Sequence, residues 1–248
     1  MLYVFGDSFC HNINYMAESN KDRKKYKVYP PFIPLEDNWL NIVSKKLIGS
    51  TDYVDCALAG CSNEYIYHRL MLQLPNIKPG DQVIVSLTAP DRRWLVEECP
   101  HLSNWASHEF QPDFPGGVSK AQHNAITHYA KHLYSASGAR SIYTAILNGT
   151  MYNAQQMSYN EIKFLILPGF DPLFHVKGVL MDISDQEFDS TVDRNEYMKR
   201  TNDVRWNHLT QANHTVLANK VIDFFEDTNH AIDLTTDFEK GIYTKDTI

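Results

Sequence analysis

The sequence lacks most of the features that would place the chain outside or across a membrane. Its 248 residues hold four cysteines (Cys10, Cys56, Cys61, Cys99) with no CxxC spacing, so neither a zinc knuckle nor a disulfide framework is indicated. The four read instead as reduced thiols packed among small core residues. No apolar run approaches the roughly 18 residues that a spanning helix needs. Leu2-Tyr3-Val4-Phe5 runs straight into Gly6-Asp7, too short a stretch for the apolar core of a secretory signal. A cytoplasmic protein is expected, with no membrane partner; a virion-associated component would carry the same signature. Basic charge is scarce as well. With 23 Lys and Arg against 30 Asp and Glu, the formal net charge is −7, which argues against nucleic acid as a partner because nonspecific binding needs a basic face. Internal repeats and low-complexity runs are missing too.

What is present is ordinary globular composition, 43% hydrophobic and 21% charged, enough for one substantial core. Leu2-Tyr3-Val4-Phe5 reads as a buried first strand that ends in a turn at Gly6-Asp7-Ser8. A lysine-rich solvated stretch from Glu18 to Lys27 and the loop Pro30-Pro31-Phe32-Ile33-Pro34 follow. The apolar stripe Trp39, Leu40, Ile42, Val43 and Leu47 then predicts a helix. Tyr53-Val54-Asp55-Cys56-Ala57 is a second strand, and Ile66, Leu70 and Leu74 repeat at helical spacing. Val83-Ile84-Val85-Ser86-Leu87 and Phe164-Leu165-Ile166-Leu167 read as two more buried strands. Between them Ile126, Ala130 and Leu133, then Ile142 and Ile146, suggest helix. A final helix carries Leu217, Val221, Phe224 and Phe225, with Thr210 or Asn213 as its N-cap.

This alternation predicts an α/β fold, a three-layer sandwich around a central, mostly parallel sheet. The expected organisation is a single domain over residues 1–227, a helical insertion over about 94–160, and a C-terminal tail over 228–248. In such sheets ligands sit at the carboxyl ends of the strands. Ser8, Gly60 and Thr88 all fall there.

Three short segments carry the chemistry. A serine just past a buried strand, behind a glycine that permits a tight turn, is held with its hydroxyl exposed, as a nucleophile requires; Gly6-Asp7-Ser8-Phe9 fits. Ala59-Gly60-Cys61-Ser62-Asn63 offers a glycine whose N–H can approach a ligand and an amide that can donate to an oxyanion. It reads equally as a turn followed by a Ser or Asn helix cap. Asn207-His208-Leu209-Thr210, before the last helix, offers the general base usual at neutral pH. His214 is its rival, though its place on the apolar stripe favours packing or capping. Cys10 is a second nucleophile candidate by proximity alone. Arg92 and Arg93 suit either an anionic substrate or ordinary ion pairs. Trp94, Trp105, Tyr129 and Tyr134 suit either a sugar-stacking wall or core.

Taken together, the three segments resemble the SGNH (GDSL) hydrolase superfamily, in order and spacing, from about Met1 to Phe225. Gly6-Asp7-Ser8 resembles that family's first block, Gly60 its second and His208 its last. A divergent branch found in phage and bacterial genomes is the nearest likeness, through Ser62-Asn63-Glu64-Tyr65-Ile66 and through Thr88 to Arg92. The resemblance implies a flavodoxin-like arrangement and a serine esterase acting on a small-molecule or carbohydrate ester, with no metal and no cofactor. Ser8 would be the nucleophile and His208 the base. Ser8, Gly60 and Asn63 would form the oxyanion hole, with Thr88 the alternative to Asn63 as side-chain donor, and Thr88 and Arg92 would contact substrate. Two departures stand out. The third block, Ser86-Leu87-Thr88-Ala89-Pro90-Asp91, contains no asparagine. Arg205 occupies the position three before His208, leaving Asp203 as the acid, or a Ser-His dyad. An acyltransferase with the same pair, and a non-catalytic binding or virion module, are the alternatives.

Overall fold

The computed structural model describes residues 1–7, 9–10, 38–58, 61–90, 92–95, 119–167, 187–188, 209, 211–227, 232–234, 236–238 and 242–243. In chain order the elements are β1 (Leu2–Phe5), α1 (Trp39–Ile48), β2 (Val54–Asp55), α2 (Asn63–Gln73) with a 3-10 turn (Leu74–Asn76), β3 (Gln82–Ser86), α3 (Lys120–His132), α4 (Ala136–Ser158), β4 (Lys163–Leu167), β5 (Glu187–Phe188), α5 (Gln211–Glu226) and β6 (Ile242–Tyr243). They belong to two compact units, one built on Tyr3–His11 and Val54–Asp171, the other on Asn12–Tyr53 and Pro172–Ile248.

The first unit holds an all-parallel four-stranded sheet in the order β2-β1-β3-β4. β1, β3 and β4 form because they are short, mostly apolar runs that bury both faces, as parallel strands do, while β2 is a two-residue edge strand, Val54–Asp55. Tyr3, Phe5, Val83, Val85 and Leu87 share one face with Ile66 and Leu70 of α2 and with Tyr143, Ile146 and Leu147 of α4. Val4, Ile84, Leu165 and Leu167, on the alternate side, are buried as well. β3 and β4 pair in register from Gln82 with Lys163 to Ser86 with Leu167. Parallel neighbours need a crossover of a dozen or more residues. α4 supplies it and packs against both β4 and α2. Much of the stretch expected as an insertion is thus the connection that the sheet itself requires. Where α4 meets α2, a Cβ on Gly149 would lie 2.9 Å from the Tyr67 hydroxyl, so a larger residue there would have to displace the tyrosine ring.

In the second unit α1 and α5 pack together, burying Trp39, Leu40 and Val43 against Leu217, Ala218, Val221 and Phe225. Asn38 caps α1 by accepting the Leu40 N–H at 3.0 Å, and Gly49 ends it with φ at 73°. Asn213 is not the cap of α5. It lies inside that helix and is buried, and the alternative cap, Thr210, is outside the described residues. Within the segment read as a tail, Leu234 is buried, Asp237 pairs with Lys220 at 2.9 Å, and β6 runs parallel to β5. Among the described residues no helix is long and apolar enough to cross a membrane.

Candidate active site

β1 and β3 are neighbours at the centre of the sheet, while β2 and β4 lie on opposite sides of them. The strand order therefore reverses between β1 and β3, and the crevice beyond their carboxyl ends is where open α/β sheets bind ligands. Two sequence segments leave the sheet there, Gly6-Asp7 after β1 and Leu87-Thr88 after β3.

Asp7 is the hub of this crevice. Its side chain is almost completely buried, and each carboxylate oxygen is occupied. Oδ1 accepts the Phe9 N–H at 3.1 Å. Oδ2 accepts the Thr88 hydroxyl at 2.8 Å and Arg92 Nη1 at 2.7 Å. The same Nη1 also donates to Thr88 Oγ1 at 2.6 Å. The Asp7 main chain closes the turn, since its carbonyl accepts the Cys10 N–H at 3.0 Å. A buried carboxylate is tolerable only when paired and hydrogen-bonded, and both conditions hold.

The turn is close-packed as well as hydrogen-bonded. A Cβ on Gly6 would stand 2.9 Å from both Cβ and Sγ of Cys10 and 3.1 Å from Cβ of Ser86, so only glycine lets β1, its turn and β3 approach this closely. Cys10 and Cys61 flank the same glycine, and the Cys61 thiol donates to the Gly6 carbonyl at 3.4 Å. Burial pushes both thiols above their ordinary value, with the negative Asp7 adding to the shift. Thiols held protonated are poor nucleophiles, which counts against Cys10 in that role.

Asn63 approaches the crevice from α2, whose N-cap is Ser62, accepting the Tyr65 N–H at 3.3 Å. Asn63 is the first helical residue, and its amide pairs with the backbone of Thr88. Oδ1 accepts the Thr88 N–H at 2.7 Å, while Nδ2 donates to the carbonyls of Thr88 at 2.8 Å and Ala89 at 3.3 Å. It thereby imitates an extra strand edge at the exit of β3. Beside it Glu64 accepts Arg93 Nε at 2.7 Å and the Trp94 N–H at 2.8 Å. Arg93 also donates to the Tyr129 hydroxyl at 3.2 Å. The Trp94 ring lies against Tyr65 and His68, with centroids 5.4 and 5.2 Å away. Arg93 is thus an ion-pair partner, and Trp94 is packed against α2.

Of the residues singled out by sequence, the structure brings Thr88 and Arg92 together on Asp7 and sets Asn63 against Thr88. Ser8, Gly60, Asp203 and His208 lie outside the described residues, as does Trp105. His214 is buried in the second unit, where Nδ1 accepts the Trp39 N–H at 3.4 Å. Sequence reasoning missed Asp7 as an organising residue. The available signal was a carboxylate directly after one buried strand and Thr-x-x-x-Arg directly after another. Among the described residues no group of three or more His, Cys, Asp or Glu side chains is arranged to hold a metal ion. Comparison with family models, with curated proteins and with solved structures finds no match.

Proposed function

We propose that the chain is a serine esterase of SGNH type, with Ser8 as nucleophile and His208 as base. The observation that carries this reading is the turn after β1. Ser8 stands in sequence between Asp7 and Phe9, and those two neighbours are bonded to each other at the strand-order reversal where α/β enzymes place their chemistry. In this reading the sheet belongs to a three-layer, flavodoxin-like sandwich, and His208 stands in sequence just before α5.

The reaction runs in two steps. His208 takes the Ser8 hydroxyl proton as the oxygen attacks the ester carbonyl, and it returns the proton to the leaving alcohol. Water, deprotonated by His208, then hydrolyses the acyl-enzyme. Asp203 orients the imidazole, or a main-chain carbonyl does so in a dyad. The backbone N–H groups of Ser8 and Gly60 stabilise the oxyanion. Asn63, whose amide protons go to Thr88 and Ala89, holds the wall of that hole in place of entering it. An acetyl ester on a carbohydrate is the substrate class proposed.

Labelling with a fluorophosphonate tests the nucleophile without knowledge of the substrate. The expected result is a single adduct, mapped to Ser8 by mass spectrometry, absent in Ser8→Ala and strongly slowed in His208→Ala. Folded wild-type protein that stays unlabelled sinks the esterase and leaves the non-catalytic binding module in its place.

A further inference from the structure

We infer that Arg92 is a positioning residue for the Ser8 nucleophile, acting through Asp7, and not a substrate contact; this rests on the esterase reading. The geometry carries it in three links. Arg92 Nη1 sits 2.7 Å from Asp7 Oδ2 and 2.6 Å from Thr88 Oγ1, so one guanidinium nitrogen joins the exits of β1 and β3. The opposite carboxylate oxygen of Asp7 holds the Phe9 N–H, and the Asp7 carbonyl holds the Cys10 N–H. Ser8 therefore lies between chain positions anchored by Asp7, and Asp7 is itself anchored by Arg92 and Thr88. Thr88 is fixed in turn, because Asn63 occupies both its N–H and its carbonyl. Backbone folding delivers Arg92 to this place, since its N–H donates to the Ala89 carbonyl at 3.2 Å.

Charge explains why the anchor is an arginine. Asp7 is almost fully buried, while Arg92 retains 23% of its side-chain exposure. The guanidinium supplies the countercharge that a desolvated carboxylate needs. It does so through a single nitrogen, Nη1, that serves both acceptors, on a planar group whose donor directions are fixed. Without that countercharge the carboxylate loses its fixed place, and the turn that it holds shifts. A displacement of about 1 Å at a reacting group can cost on the order of 10²-fold in rate.

The test compares wild type, Arg92→Met, Arg92→Lys and Thr88→Val by fluorophosphonate labelling and by hydrolysis of a neutral aryl acetate, each well below its own melting temperature. Neither reagent carries an anion for Arg92 to bind, so a slowed reaction reports the nucleophile's position. Arg92→Met is expected to lower kcat by about 10²-fold at nearly constant KM. Arg92→Lys should recover part of that loss, and Thr88→Val should fall in the same direction. Should Arg92→Met fail to fold, the other two variants carry the comparison. Unchanged kcat and labelling in the folded variants overturns the inference, as does a raised KM with kcat preserved, which would make Arg92 a substrate contact. Wild-type protein that does not label overturns the Ser8 reading and this inference with it. A labelled wild type beside an equally labelled Arg92→Met overturns this inference alone.

Discussion

Single side chains near the crevice do backbone work, and this sets what their loss should do. Asn63 satisfies the buried Thr88 N–H and carbonyl at once. Leaving a buried donor or acceptor unpaired costs about 1–3 kcal/mol, so Asn63→Ala should destabilise the protein by roughly 2–4 kcal/mol in urea unfolding. Asn63→Asp should be at least as harmful, because it sets an oxygen against the Thr88 carbonyl. An Asn63→Ala variant of wild-type stability with a large drop in kcat would return the amide to the oxyanion hole. Gly6→Ala tests packing in the same place. Its methyl would meet Cys10 at 2.9 Å, and overpacking of this kind typically costs about 1–3 kcal/mol, read as a lower melting temperature. Residue identity alone made Ser8, Thr88 and Arg92 visible as candidates. It did not reveal Asp7 as the hub that joins Thr88 and Arg92, because the Thr88 partner lies 81 positions away and a short sequence window cannot register such a bond.

At the scale of elements, legibility followed burial. β1 is an uninterrupted apolar run, β3 and β4 are apolar except at their ends (Gln82, Ser86 and Lys163), and each is legible to within a residue at either end. The sequence pattern predicts β2 over Tyr53 to Ala57, but strand geometry is confined to Val54–Asp55. The bonding to β1 nonetheless continues through Cys56 N–H to the Val4 carbonyl and Leu58 N–H to the Gly6 carbonyl. α4 was seen only through Ile142 and Ile146. Its later turns expose Met151 and Tyr152, so no apolar stripe announces them and packing alone extends the helix to Ser158. β5 and β6 are two residues each and left no pattern to find. The α1–α5 pair adds a contact that periodicity does not encode: the His214 imidazole on α5 accepts the first N–H of α1, that of Trp39. First-turn N–H groups have no partner within their own helix. His214→Phe should therefore cost on the order of 1–3 kcal/mol, with His214→Gln, which keeps an acceptor, recovering part of it. Equal stability of the two variants, measured by urea unfolding, would assign His214 to packing alone.

Over the whole molecule, the alternation of strand and helix was legible, while the division into two compact units was not. Each unit is assembled from separated stretches, Tyr3–His11 with Val54–Asp171 in one case, and a reading that proceeds along the chain sees only contiguous blocks. The cysteines show how such long-range assembly surfaces in a bulk property. Cys10 comes from one of these stretches and Cys56 and Cys61 from the other, and all three are buried free thiols. Desolvation is the largest influence on each and raises each above the ordinary thiol value of 9.0, even though Arg69 pulls the Cys56 value the other way. The sign of the linkage follows directly. Below pH 9.0 the thiols are protonated in folded and unfolded chains alike, and they favour neither state. Above it the unfolded chain releases these protons while the folded chain retains them, so stability falls as pH rises toward the folded values. Each thiol contributes up to about 1.4 kcal/mol per pH unit in that window. Urea unfolding of wild type between pH 8 and pH 10.5 should show stability dropping steeply above pH 9, under reducing conditions. Cys61→Ala will start from lower stability because it opens a small cavity, so the quantity to compare is the slope. That slope should be shallower than wild type by roughly one thiol's share. Parallel curves for the two proteins would mean that Cys61 is ionised in the folded state, and that its contact with the Gly6 carbonyl does not hold it as a thiol.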